Sequence, residues 1–157
     1  MRKTIIRPVP QSRPAAEEGW LKLEDLARVE VTSEEPAHPV ESALIPGTDS
    51  GWQAAEPGKQ TIRLIFDDPQ RITRIRLFFI EAAVERIQEF ALRWSSDGGR
   101  SYHEIVRQQF NFSPGGATRE EEDYHVALPG VTVLELALVP DKSGGEAPAS
   151  LAKLRLA

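Results

Sequence analysis

The sequence has 157 residues, of which 40% are hydrophobic and 27% are charged, and its formal net charge is −5 from 19 Lys and Arg against 24 Asp and Glu. These values are typical of a single folded domain, and the acidic excess argues against electrostatic binding to nucleic-acid phosphates. The absence of cysteine excludes disulfides, thiolate catalysis and cysteine-ligated zinc.

The first residues predict an extended arm. Pro8, Pro10 and Pro14 interrupt the region where a signal peptide needs a continuous apolar run. No stretch of the sequence approaches the length that spans a membrane. We therefore predict an extended arm over residues 1–19, a single domain over residues 20–157, and a cytoplasmic protein that does not bind membranes.

Alternation of apolar and polar residues predicts β-strands along the rest of the chain. In the segment 61–66, for example, Ile62 and Leu64 share one face and Arg63 lies on the other. The same period recurs in residues 27–33, 72–79, 90–94, 132–139 and 150–157. Only residues 20–27 and 81–90 have the spacing for a helical turn or two. Short strands with Pro and Gly turns between them predict an antiparallel sandwich or barrel.

The stretch SSDGGRSYHEI, residues 95–105, predicts a tight hairpin. Asp97 and Gly98 suit the turn, because such hairpins need positive φ angles. Tyr102 and Ile105 are three residues apart, so both face inward only if a β-bulge resets the pleat. A phosphate-binding loop is disfavoured, because neither GxGxxG nor GxxxxGK[ST] occurs in the sequence.

Four segments, in this order, resemble the discoidin (coagulation factor 5/8 type C) domains and related bacterial carbohydrate-binding modules. They are SALIPGTDSGW (42–52), IRLIFDDPQRITRIRL (62–77), FALRWSSDGGRSYHEI (90–105) and SLAKLRLA (150–157). The resemblance covers residues 25–157 and implies an all-β, galactose-binding-like jelly roll, which is an antiparallel β-sandwich of about eight strands. It also implies a ligand site at one end of the sandwich, in loops 33–50, 79–88 and 108–122.

Carbohydrate recognition requires an aromatic ring that stacks on the C–H face of the sugar and planar donors or acceptors for its hydroxyls. In the implied loops we predict His38, Asn111, Phe112 and Arg119 as ligand-binding residues. The alternatives remain that Phe112 ends a buried strand and that His38 is merely exposed. The resemblance implies that Trp52 is a core residue. We also interpret Trp20 and Phe79 as core residues rather than as ligand contacts.

No metal or cofactor is expected. Many members of the resembled family hold calcium in the first loop, but Ile45, Pro46 and Gly47 replace the usual Asp-Gly there, and Asp49 alone does not make a calcium site. The three histidines do not have metal-ligand spacing.

We also predict no catalytic residues and no enzymatic activity. The sequence GTDSG (47–51) stands without the histidine and aspartate of a serine-protease site. The acidic run from Glu120 to Asp123 is interpreted as solvated residues on a loop rather than as the carboxylate pair of a glycosidase.

Two functions remain open. The first is a non-catalytic carbohydrate-binding module, and the alternative is a cytoplasmic protein-interaction domain that associates with a partner or with itself. The outward positions Ile65, Arg76 and Phe78 favour the alternative. Residues 52–66 also resemble the N-terminal domain of a vertebrate single-strand-break repair scaffold, a polymerase-binding and DNA-associated module. This resemblance gives some support to a basic stripe of outward arginines, although a shared fold does not carry function.

Arginines at outward strand positions have two interpretations. Arg63, Arg74, Arg76 and Arg93 would form either a basic stripe or an ordinary charged sheet surface. We favour the ordinary surface and predict no nucleic-acid partner.

Overall fold

The computed structural model describes residues 2–3, 19–47 and 50–157, so the arm predicted over residues 1–19 lies almost wholly outside it. The described elements are α1 (Leu23–Leu26), β1 (Ala27–Val31), α2 (Glu41–Leu44), β2 (Trp52–Gln53), β3 (Gln60–Ile80), β4 (Arg86–Ser95), β5 (His103–Phe112), β6 (Arg119–Val139), β7 (Ser150–Leu151) and β8 (Lys153–Leu156). Neither described helix is long and apolar enough to cross a membrane.

The strands form two layers because the long strands β3 and β6 each pass from one layer to the other. Residues 60–66 of β3 pair with β1 and with the last part of β6, whereas residues 72–80 pair with the first part of β6 and with β8. Register shifts lie between Ile65 and Arg74, where a β-bulge bends the strand. The larger layer has the order β1-β3-β6-β4-β5, and the smaller has the order β8-β3-β6.

The hydrophobic core lies between these layers. Ile62 and Leu64 of the larger layer and Leu77 of the smaller layer are at most 2% exposed. The rings of Phe79 and Phe90 stack across the layers with their centroids 5.4 Å apart. These contacts confirm the predicted antiparallel β-sandwich of eight strands.

The predicted hairpin joins β4 to β5. The positive φ angles belong to Gly98 and Gly99, at 76° and 93°, and not to Asp97 as the sequence had suggested, because residues with side chains rarely adopt such angles. The pairing of β4 with β5 shifts register at Ile105, as the predicted bulge requires. Tyr102 nevertheless lies on the outer face of the larger layer, where the Arg93 guanidinium stacks 4.3 Å from its ring centroid.

The four outward arginines form an ordinary charged surface. Arg63 and Arg93 lie on the larger layer, whereas Arg74 and Arg76 lie on the smaller one. Each is paired with a carboxylate, so they do not form a continuous basic stripe.

The structure corrects the prediction that the acidic run, Glu120 to Asp123, lies on a solvated loop. Residues 120–123 belong to β6 rather than to a loop, and Glu120 is only 1% exposed. Because side chains alternate along a strand, Glu120, Glu122 and Tyr124 face the space between the layers. The run is therefore partly interior.

Candidate ligand-binding site

A cavity of about 470 Å³ opens at the end of the sandwich where β3 ends and β4 begins. This volume lies within the range of small-molecule sites. We call it the loop-end cavity; its lining residues are His38, Ser50, Gly51, Trp52, Gln53, Ile80, Glu81, Ala83, Val84, Pro148, Ser150, Leu151 and Ala152. Two of the three predicted loops, 33–50 and 79–88, therefore contribute to it.

One wall of the cavity is formed by β2 packed against β7. Gly51 has a φ angle of 63°, and a Cβ atom there would lie 2.8 Å from the carbonyl oxygen of Leu151. Glycine is therefore required for this close approach of the two backbones. Trp52 anchors the same wall, since it is 1% exposed and its Nε1 donates a hydrogen bond to the carbonyl of Ser33 over 3.0 Å. The prediction that Trp52 is a core residue is confirmed.

His38 is held in the cavity wall by its own backbone and ring. Its carbonyl accepts a hydrogen bond from the Gln53 backbone N–H over 3.1 Å. Its Nδ1 lies 3.0 Å from the carbonyl oxygen of Ser50. Because a carbonyl only accepts, Nδ1 carries the proton, and in the neutral ring Nε2 is then the acceptor.

The end of β3 and the loop that follows it supply exposed aliphatic side chains to the lining. Ile80 is 44% exposed and Val84 is 43% exposed, and they are the two large hydrophobic residues that stand out as exposed in the described part of the chain. The backbone N–H of Glu81 donates to the carbonyl of Thr118 over 2.9 Å, which ties this loop to the loop between β5 and β6.

A buried ion pair supports this loop from beneath. The Arg86 side chain is 0% exposed, and its Nε lies 3.1 Å from Oε1 of Glu81. Its two terminal nitrogens lie 3.2 Å from the carbonyl oxygen of Pro140 and 3.4 Å from Oγ of Ser150. The guanidinium also stacks on Phe112, 5.0 Å from the ring centroid. Arg86 thus joins two cavity-lining residues without reaching the cavity surface.

Polar side chains continue from Arg86 into the space between the layers. Gln88 is 0% exposed, and its Nε2 donates to Oε1 of Glu120 over 3.2 Å. Burial raises the pKa of Glu120 to about 8, and the hydrogen bond and charge of Glu122 also raise it. Glu120 is therefore protonated at neutral pH.

The four predicted site residues lie at this end of the sandwich but do not converge. His38 lines the loop-end cavity. Arg119 is exposed and is the pairing partner of Ile80, so it lies beside the cavity. Asn111 is exposed on β5, on the face opposite to Phe112.

The structure corrects the prediction that Phe112 binds the ligand. It is 0% exposed, and its ring is covered by Arg86 and by Phe110, whose ring centroid is 4.8 Å away. A buried ring offers no face to a sugar, so the alternative, that Phe112 ends a buried strand, is the correct one.

Several cavity residues were not anticipated. Ile80, Glu81 and Val84 fall within the predicted loop 79–88, where an aliphatic pair beside an acidic residue could have indicated a ligand wall. The segment 148–152 had no such signal, because its role depends on the pairing of β7 with β2.

We predicted that Asp49 does not form a calcium site, and this residue lies outside the described residues. Within residues 2–3, 19–47 and 50–157, no three His, Asp or Glu side chains gather closely enough to hold a metal ion.

Comparisons in sequence and in structure gave different results. No protein-family model matches this sequence, and no curated protein matches it either. Among solved structures, CBM32-3 from a family 31 glycoside hydrolase of Clostridium perfringens is similar with a TM-score of 0.65 and 17% identity, over 90% of this chain and 96% of that one.

Two further structures have the same fold. A CBM32 module from Clostridium perfringens in complex with GalNAc-β-1,3-galactose has a TM-score of 0.62 and 19% identity, over 88% of this chain and 99% of that one. Reduced XRCC1 bound to the DNA polymerase β catalytic domain has a TM-score of 0.63 and 14% identity, over 84% and 96%. This chain therefore has the jelly-roll β-sandwich fold of these CBM32 modules, and this is the fold that the sequence predicted.

Proposed function

We propose that this chain is a non-catalytic carbohydrate-binding module that holds a sugar in the loop-end cavity. The observation that carries the proposal is the mixed lining of that cavity. Ile80 and Val84 offer an apolar surface, while His38 and Ser150 offer hydrogen-bonding groups. A sugar ring has the complementary surfaces, with one C–H face and several hydroxyls. The sugar complexes of CBM32 modules with the same fold support the proposal.

The lining also indicates how strong the binding will be. Trp52 is the one Phe, Tyr or Trp in the described lining, and it is only 1% exposed. No Phe, Tyr or Trp ring in that lining therefore offers a face for stacking, and Ile80 and Val84 must supply the apolar contact. Because aliphatic contacts lack the additional stabilisation of ring stacking, we expect dissociation constants of about 1 mM.

Calorimetric titration tests the proposal. Galactose, N-acetylgalactosamine, glucose and chitin oligomers are titrated into the protein, and each mixture is then analysed for hydrolysis products. We expect heat of binding from at least one sugar and no product. In the variant Val84→Arg a long side chain enters the cavity, so binding is lost. Ala127→Arg, at an exposed position of β6 outside the cavity lining, is the matched control and retains binding. Absence of heat from every sugar would refute the proposal.

A protein-interaction domain is the second candidate, and the exposure of Ile80 and Val84 beside the cavity favours it. The protein complex of XRCC1, which has the same fold, supports this candidate. Sedimentation of wild-type protein and Val84→Arg over a range of concentrations tests self-association. Association that the variant abolishes would support this candidate, whereas a strict monomer that binds sugar would support the first.

A further inference from the structure

The charges of the loop-end cavity are uneven. Among its described lining residues, Glu81 is the one Asp or Glu, and none is Lys or Arg. The cation that contacts Glu81 is Arg86. The Arg86 side chain is 0% exposed, whereas the Glu81 side chain is 16% exposed. A ligand that enters the cavity therefore meets a carboxylate and does not reach the guanidinium behind it.

Glu81 is also fixed in orientation. Its Oε1 lies 3.1 Å from Nε of Arg86, and its Oε2 accepts a hydrogen bond from the backbone N–H of Ala83 over 3.3 Å. Arg86 is itself held by the carbonyl of Pro140 and by Phe112. A carboxylate held in this way can accept a hydrogen bond without the loss of side-chain freedom that an unrestrained glutamate would suffer.

We propose that the Glu81–Arg86 pair makes the loop-end cavity select neutral sugars over acidic ones. This inference rests on the proposed function. A sugar hydroxyl donates a hydrogen bond to the Glu81 carboxylate, which is stronger than a bond between neutral groups. The carboxylate of a uronic acid would instead lie near a like charge, and it would lose hydration without gaining a cation.

Arg119 offers the opposite selectivity. It is exposed and pairs with Ile80 at the start of β6, but it does not line the cavity. If a bound sugar extended to Arg119, acidic sugars would bind better than neutral ones. The preference of the wild-type protein therefore distinguishes control by Glu81 from control by Arg119.

The test compares matched pairs of sugars that differ only at carbon 6. Methyl galactoside is compared with methyl galacturonate, and methyl glucoside with methyl glucuronate, by calorimetry at pH 7 and low salt. For the wild-type protein we expect the neutral member of a pair to bind at least about tenfold more tightly. In Glu81→Gln the charge is removed and the shape is kept, so the ratio falls to about threefold or less. Glu104→Gln makes the same change at an exposed position of β5, outside the cavity lining, and leaves the ratio unchanged.

Each other outcome has a distinct meaning. Equal or tighter binding of the uronic acid by the wild-type protein would overturn the inference and leave the proposed function standing. The inference would also be overturned if the ratio of neutral to acidic affinity were the same in Glu81→Gln as in the wild type. Circular dichroism must show in that case that the variant is folded. Failure of these four sugars, and also of N-acetylgalactosamine and the chitin oligomers titrated above, to bind would refute carbohydrate binding itself, and the inference with it.

Discussion

Glu120 and Glu135 lie on the same strand, β6, and are almost equally buried, at 1% and 3% exposed. Their protonation differs. Burial raises the pKa of Glu120 to about 8, and Glu122 raises it as well. Burial would raise the pKa of Glu135 too, but hydrogen bonds from Arg63 and Arg93 outweigh this effect and hold its pKa below the ordinary value. One carboxyl is neutral at pH 7 and the other is ionised.

The difference follows from what covers each residue. Glu120 faces the space between the layers, where it accepts a hydrogen bond from Gln88 and the nearby cation, Arg86, is paired with Glu81. Glu135 lies on the outer face under two arginines whose side chains are 43% and 39% exposed. Those guanidinium groups stay partly hydrated while their hydrogen bonds compensate the carboxylate. The partners of a buried carboxyl therefore decide its charge more than its depth does.

The largest effect is expected when Glu135 loses its carboxylate. Glu135→Ala removes the acceptor of charge-assisted hydrogen bonds from Arg63 and Arg93, so we expect the free energy of unfolding to fall by about 2–3 kcal/mol. Urea denaturation measures this change. In the control Glu104→Ala, an exposed ion pair is lost at a cost of about 0.5 kcal/mol. If Glu135→Ala and Glu104→Ala lowered the free energy of unfolding equally, the burial of Glu135 under the two arginines would contribute nothing to stability.

The raised pKa of Glu120 predicts a decrease in stability as the pH rises from about 4.5 to about 8. The ordinary pKa of 4.5 rises to about 8 in the folded chain. Between these values the folded chain binds more protons than the unfolded chain, so the free energy of unfolding falls as pH rises through this window. Glu120→Gln removes this contribution, and at pH 9 we expect it to be more stable than the wild type by roughly 1–2 kcal/mol.

The matched control for this variant is Glu121→Gln, the next residue of β6, whose side chain is 61% exposed. It makes the same substitution at an exposed carboxyl and should leave the pH dependence unchanged. Urea denaturation at pH 5, 7 and 9 provides the measurement. An unchanged pH dependence in Glu120→Gln would mean that Glu120 is ionised in the folded chain.

A smaller effect is expected from Arg93→Lys. Lysine keeps the charge near Glu135, but it lacks the planar fork of arginine and its stacking on Tyr102. We expect a loss of roughly 1 kcal/mol in urea denaturation, which is less than the loss in Glu135→Ala. A loss as large as that of Glu135→Ala would assign the whole stabilisation to Arg93 and none to Arg63.

The sequence was informative where one face of a strand is apolar. The alternation around Ile62 and around Ile75 correctly predicts strands, although both belong to the single strand β3. The sequence suggests two separate strands because the segment 67–71 looks like a turn. In the fold this segment is the bulged bend where β3 passes from one layer to the other. The first part of β6 was missed because its inward residues Glu120 and Glu122 are as polar as its outward ones, so no alternation is visible.

The site was less predictable than the fold. His38 and the loop 79–88 were identified from the sequence, and both contribute to the loop-end cavity. Phe112 was misassigned because an aromatic residue at the end of a strand looks the same in sequence whether its ring is covered or open. Its burial depends on Arg86, which is 26 positions earlier in the chain and reaches Phe112 only through the pairing of β4 with β5.

The central claim is that a sugar binds in the loop-end cavity, and methyl NMR tests it most directly. Galactose and N-acetylgalactosamine are titrated into protein labelled at its isoleucine and valine methyl groups. The account predicts saturable shifts of the Ile80 and Val84 methyl signals, while Ile65 and Val133 on the outer face of the larger layer do not change. Saturable shifts confined to the outer face, with Ile80 and Val84 unchanged, would contradict it.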